Sequence, residues 1–302
     1  MSQISPQAVD RASPSDRAII SDPENFFTFK LSAVPRRQFL SERDQAFMES
    51  SSSYEILLDC SAQLGTDYPA TTPLLLARYL KLNAQTALEV NRIASAEILY
   101  VLKGSGESSN GTDTVVWGEG DVMCFPGGIS TQHRASTDAV LFTVCNEPLL
   151  ALERLQAPRA GTARVEAVHW SHQAIEEHLE RVYSRADSAQ TAGQAVQLVS
   201  TMMAPTPLPV PSMNLAINTL EPGGNQRPHR HNGVAITLSI QGEGVHSMIE
   251  DERVDWSHGA AQITPATELH SHHNRGNVRM RSLVIQDEGV HFYTRTPGFS
   301  WT

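Results

Sequence analysis

Two stretches of the chain carry the same punctuation. "ILYVLKGSGES" runs into "WGEGDVMCFPGG", and "ITLSIQGEGVH" runs into "WSHGAAQITPAT"; Gly104 and Trp117 stand 13 residues apart, Gly242 and Trp256 stand 14 apart. A repeat on this scale constrains the fold more than any single motif, because each copy must be a unit that closes on itself. In both copies short apolar runs are separated by Gly, Pro and Asn at the spacing of antiparallel strands. The expectation is an all-β chain made of two tandem small barrels rather than one large sheet.

The remaining text sets the boundaries. Residues 1–45 read as an N-terminal arm that opens rich in Ser, Pro, Asp and Ala. Residues 46–150 read as the first barrel, 151–205 as a helical linker, and 206–302, entered through Pro207, Pro209 and Pro211, as the second barrel. Within the linker, Ile175, Leu179 and Val182 form one stripe of an amphipathic helix expected over 171–186. A net charge of -10 with no basic block argues against nucleic acid or an anionic membrane surface as partner. The N-terminus has no apolar core of a signal sequence, and no run approaches the roughly 20 apolar residues needed to span a bilayer. Cys60, Cys124 and Cys145 are scattered, as buried thiols of a reducing compartment would be. The expected location is the cytoplasm.

The second copy opens on "EPGGNQRPHRHNG", which places His229 and His231 two residues apart and so on one face of a strand. His270 follows a hairpin and a return strand that carry it back beside them. Three neutral imidazoles make a facial set for a first-row divalent ion. Ala235, on the same parity, supplies no oxygen, so the ion keeps its full charge and about three open positions for an anionic chelator and dioxygen. The opposite parity, Ile236, Leu238 and Ile240, is expected to form the barrel core. In the first copy, counting back from Gly104 puts Asn91 and Ile93 in the slots of the histidine pair. Thr131 takes the slot of His270, Glu97 that of Ala235 and His133 that of His272, a set that holds no metal. His169, His172 and His178 read as a solvated face of the linker helix.

The intervals Gly223, His229, His231, Ala235, Gly242 and then Gly259, Pro265, His270, Asn274 resemble the two motifs of the cupin family. "PHRHNG", "IQGEGVHSMIEDERVDW" and "LHSHHN" resemble, more narrowly, the bicupin ring-cleaving dioxygenases of the gentisate, salicylate and 1-hydroxy-2-naphthoate type. The likeness covers both halves and is sharpest over 220–287. It implies a bicupin: two double-stranded β-helix (jelly-roll) barrels joined by a short helical linker. It further implies Fe(II), with Mn or Zn as other possibilities, a hydroxylated or amino-substituted aromatic acid and O₂ as substrates, and a homo-oligomer. The sequence departs from the pattern in three ways. The histidines stand in the second half, whereas the best-known relatives use the first; Gly233 stands where a Gln is frequent; Thr267 replaces the usual Gly of the second motif. His272 matches a histidine near the substrate, where it would move a proton or hold bound oxygen. Among Arg227, Arg230, Arg279 and Arg281, Arg281 is the favoured clamp for a substrate carboxylate. Two further readings stay open: a non-catalytic metal- or ligand-binding bicupin, and an isomerase, decarboxylase or hydrolase using another divalent metal.

Overall fold

Short β-branched and leucine-rich runs bounded by Gly, Pro and Asn become antiparallel strands in the computed structural model, which describes residues 13–20, 31–184 and 194–301. The chain divides into two units, Met1–Ser32 and Ala33–Thr302. In the former, Ser13 and Asp16 close a turn by reciprocal hydrogen bonds.

The first half of Ala33–Thr302 comprises α1 (Leu40–Phe47), β1 (Tyr54–Leu57), α2 (Ser61–Leu64), β2 (Leu76–Leu82), β3 (Ala87–Val90), β4 (Ala96–Lys103), β5 (Gly106–Ser109), β6 (Thr114–Trp117), β7 (Val122–Pro126), β8 (Thr131–Ala135), β9 (Ala139–Cys145), α3 (Glu147–Leu152) and β10 (Val168–Trp170). The second comprises α4 (His172–Tyr183), β11 (Gln194–Gln197), β12 (Asn214–Leu220), β13 (His229–His231), β14 (Ala235–Gln241), β15 (Val245–Ile249), β16 (Glu252–Asp255), β17 (Ala261–Thr264), β18 (His270–Asn274), β19 (Met280–Gln286), α5 (Gly289–Thr294) and β20 (Phe299–Trp301). The duplication is explicit in the sheet order. β2-β9-β4-β7 and β3-β8-β5-β6 in the first half correspond to β12-β19-β14-β17 and β13-β18-β15-β16 in the second. Each half is a two-sheet β-sandwich, and the fold is the two-fold all-β arrangement expected of the repeat.

The linker carries the helix expected over 171–186, formed over His172–Tyr183, while residues 185–186 lie outside the described ones. Its helix α4 starts at the N-cap Ser171, whose hydroxyl accepts from the Ala174 N–H, and it buries Ile175 and Leu179. The flanking segments β10 and β11 add an edge strand to the first and second halves respectively. The end of the expected arm requires correction, because it is a strap on the second half. Gln38 bridges Gln262, the Phe39 N–H donates to the Ala261 carbonyl, and the Phe39 side chain is fully buried. Residues 37–39 thereby pair with the outer edge of β17, which would otherwise be an open sheet edge.

The two interiors differ. Leu80, Leu99, Val101, Phe125 and Leu141 fill the first sandwich. The register puts Asn218, Thr237, Ser239 and Ser282 at the places of Leu80, Leu99, Val101 and Leu141, so the second interior is polar. The expectation for Ile236, Leu238 and Ile240 is corrected accordingly. They do not line their own barrel; Ile236 and Leu238 join Leu283 and Ile285 in one buried cluster with Tyr79, Ile98, Tyr100 and Phe142 of the first half, and Ile240 packs against it. Each such side chain contributes about 1.5–3 kcal/mol on burial. The apolar parity of each main sheet is spent on the seam between the halves, which leaves the second sandwich free to hold polar groups.

Candidate metal centre

Strand β13 is three residues long, and its outer two are His229 and His231, both buried. It is held on one side by the His229–His270 rung with β18 and on the other by β20, where His229 pairs Trp301 and His231 pairs Phe299. The expected triad meets here: one ligand atom from each of His229, His231 and His270 lies within 4.8 Å of the others. It is the one such group of three among the described residues; His169 bonds Asp121 instead.

The hydrogen bonds fix the tautomers. Nδ1 of His229 donates to the Arg227 carbonyl at 2.9 Å, that of His231 to Gly233 at 2.7 Å, and that of His270 to Glu268 at 3.0 Å. With Nδ1 protonated on each ring, the Nε2 lone pairs are free to face a cation. Burial first, and for His231 and His270 also neighbouring imidazoles, lowers all three pKa values, that of His231 to about 4, so the rings are neutral at physiological pH. Three buried, neutral, preoriented nitrogens fit a divalent transition metal. The ring of Phe299 stacks on His229 at 5.0 Å, and Trp301 meets it edge-on at 6.0 Å.

His272 is buried next to the triad, its ring centroid 6.1 Å from that of His270. Ser247 Oγ accepts from Trp256 Nε1 at 2.7 Å and from Gln262 Nε2 at 2.8 Å, so its own proton goes to Nδ1 of His272 at 2.9 Å. His272 is therefore the opposite tautomer, an Nε2–H donor. Burial pushes its pKa down to about 3, which corrects the expectation of a group titrating near neutrality. The clamp recurs in the first half, where Ser108 Oγ bonds His133 Nδ1 at 2.7 Å and Trp117 Nε1 at 2.8 Å.

Arg281 does not join the site. It lies on the other face of β19 from Gln286, whose amide reaches His231. Its guanidinium bonds Glu176 at 2.9 Å and the hydroxyls of Tyr183 and Thr219, in a cavity of about 240 Å³ also lined by Tyr100, His172 and Ile217. The strand was read correctly and the face was not. Arg230 is held by Glu250 and Arg279 by Glu221 and Glu180, while Arg227 lies over the Trp301 ring at 4.9 Å.

The first half differs by one residue from the sequence count. Val90 pairs Thr131 as His229 pairs His270, so Val90 and Arg92, rather than Asn91 and Ile93, are the structural counterparts of the histidine pair. Arg92 is buried and bonds Glu97 at 2.9 Å and Glu55 at 2.7 Å. A guanidinium thus neutralises the carboxylate at the place where the second half would bind a cation. Sequence reasoning missed Gln286, Asn214 and the covering ring of Phe299. The alternation Ser282, Val284, Gln286 on β19 would have pointed the last of these inward.

Residues 216–286 match the Cupin domain family. The structure superposes on a variant of salicylate 1,2-dioxygenase from Pseudoaminobacter salicylatoxidans in complex with gentisate, with a TM-score of 0.72 at 12% identity over 90% of this chain and 87% of that one. The fold is that of a bicupin. A cupin 2 conserved barrel domain protein from Leptotrichia buccalis is also similar, with a TM-score of 0.53 at 11% identity over 86% of this chain and 98% of that one. In sequence, the chain is 22% identical over 152 residues to a gentisate 1,2-dioxygenase of Ralstonia sp, a match that takes in 47% of this chain and 41% of that relative. No helix among the described residues is long and apolar enough to cross a membrane.

Proposed function

We propose that this protein is an Fe(II)-dependent ring-cleaving dioxygenase acting on a hydroxylated or amino-substituted aromatic carboxylic acid. The observation that carries the reading is the triad itself: three neutral imidazoles whose Nε2 lone pairs converge while the fourth position of the cupin motif, Ala235, offers no carboxylate. His229, His231 and His270 would hold the metal. When bound, Fe(II) supplies Lewis-acid binding of the substrate oxygens and the electrons that activate O₂.

The protein's own contribution is orientation. The carbonyls of Arg227, Gly233 and Glu268 hold the three rings in the ligating tautomer. His272, beside the triad, carries its proton on Nε2 and would donate it in a hydrogen bond to a negatively charged oxygen bound there without changing its own protonation. Phe299 and Trp301 shield His229 from solvent, which strengthens electrostatic contacts inside the site. The likeness to salicylate and gentisate dioxygenases supports the substrate class. We place the protein in the cytoplasm, as a homo-oligomer with a small aromatic acid and O₂ as its partners.

Anaerobic reconstitution with Fe(II), followed by oxygen-electrode assays with gentisate, salicylates and hydroxynaphthoates, tests the reading. Stoichiometric O₂ uptake with one of these acids is expected. An iron-loaded protein that consumes no O₂ with any of them would remove the oxygenase assignment and leave the isomerase, hydrolase or binding readings.

A further inference from the structure

The side chain of Gln286 is set directly across the β14–β19 ladder from Ala235, the position where the cupin motif lacks its carboxylate. Its Nε2 lies 3.0 Å from Nε2 of His231. That ring nitrogen carries a lone pair, because Nδ1 of the same ring donates to Gly233. The Gln286 amide therefore donates to the atom that a metal would claim.

The orientation of the amide is set by a chain of contacts that begins on the main chain. The backbone N–H of Gln286 donates to Oδ1 of Asn214 at 3.1 Å. Asn214 must then turn Nδ2 the other way, where it donates to Oε1 of Gln286 and to Oε2 of Glu288, each at 2.7 Å. With Oε1 accepting from Asn214, only the NH₂ of Gln286 can face the histidines. An amide N–H cannot coordinate a cation. Once a metal occupies the lone pair of His231, the freed N–H is directed at whatever negative atom binds the metal next.

From this we infer that Gln286 is an anion-orienting donor of the metal centre, which holds one oxygen or nitrogen of a metal-bound anionic ligand beside Ala235. The inference rests on the metal-binding part of the reading above and not on its oxygen chemistry. It narrows the substrate to one that presents an unprotonated acceptor, such as a carboxylate or phenolate oxygen, at that position. In the first half the matching cross-strand pair is Glu97 and Cys145, which offers no such donor.

The test uses the full chain loaded anaerobically with Co(II), with azide as the probe anion. Metal content, azide affinity from the visible spectrum and thermal midpoint would be measured for the wild type, Gln286→Leu and Asn214→Asp. Gln286→Leu should keep stoichiometric cobalt and lose about ten- to a hundredfold in azide affinity, the range for a hydrogen bond to a charged group. Asn214→Asp leaves residue 286 in place but replaces the donor facing Oε1 with an acceptor, so the Gln286 amide should turn over and azide affinity should fall in the same way. This second variant decides the matter if Gln286→Leu does not fold. Unchanged azide affinity in the folded variants, loss of cobalt from Gln286→Leu, or a wild type that takes up no cobalt or no azide would each overturn the inference. Because the readout is azide, a protein that binds cobalt yet consumes no O₂ with any aromatic acid would sink the oxygenase reading while the azide comparison still decides the role of Gln286.

Discussion

At the scale of single residues, the site divides into groups that give lone pairs and groups that give protons. His229→Ala, His231→Ala and His270→Ala should each remove most bound metal with little change in fold, because the apolar parity of β14 lies at the seam between halves and not around the ligands; metal analysis and circular dichroism on the same preparations check this. Thr131→Ala, at the equivalent of His270, should leave metal content unchanged. His272 and His133 offer a matched pair, since each is clamped by a serine that also bonds a tryptophan. Both alanine variants should lose stability through the orphaned partners, by about 1–3 kcal/mol. Only His272→Ala should also lower turnover, by about 10²-fold, with iron retained; equal turnover in both variants would reduce His272 to its clamp. The triad was legible in the sequence because strand parity and motif spacing are local properties. For Arg281 the alternation that turns Ser282, Val284 and Gln286 inward turns it outward, and what the sequence hides is its partner Glu176, which comes from a helix elsewhere in the chain.

At the scale of elements, the duplicated hairpins were readable from Gly–Trp spacing, and the order of strands in the sheets repeats accordingly. What could not be read is where each sheet turns its apolar face. Alternation in "AITLSIQ" says that Ile236 and Leu238 share a side, but not whether that side is the inside of a sandwich or a second sandwich. The one-residue difference between the halves at Arg92 was likewise hidden, because only pairing, Val90 with Thr131, reveals it. The seam carries a testable polar contact. The buried Tyr79 hydroxyl of β2 donates to the Gly259 carbonyl at 2.7 Å and accepts from the Ala261 N–H at 3.2 Å. Tyr79→Phe leaves both backbone groups short of a partner and should cost about 1–3 kcal/mol in denaturant unfolding. A loss below a few tenths of a kcal/mol would show that the seam is held by its apolar contacts alone.

At the scale of the whole molecule, stability should carry the imprint of one buried carboxyl. Asp287 is 3% exposed, and its Oδ1 accepts from the Val234 N–H at 2.8 Å. Burial pushes its pKa up to about 7 from 3.8, against the opposing pull of backbone hydrogen bonds. Between those two values the folded chain holds a proton that the unfolded chain has released, so this group's stabilisation falls as pH rises from about 4 to 7 and is flat above that. Asp287→Asn should be more stable than the wild type at pH 8, by an amount on the order of a few kcal/mol, and the advantage should vanish at pH 4. Urea midpoints across that range check the sign. An advantage that grew towards acid would contradict it. The paired clamps have one more consequence, and it is optical. Trp117 and Trp256 make the same bond to a serine, but only Trp256 lies against a histidine beside the triad, at 5.2 Å from His272, while Trp301 meets His229 at 6.0 Å. A paramagnetic ion arriving at the three histidines would darken the emission of Trp256 and Trp301 and leave that of Trp117 largely bright, so the protein contains both the lamp that reports metal uptake and the reference lamp against which to read it.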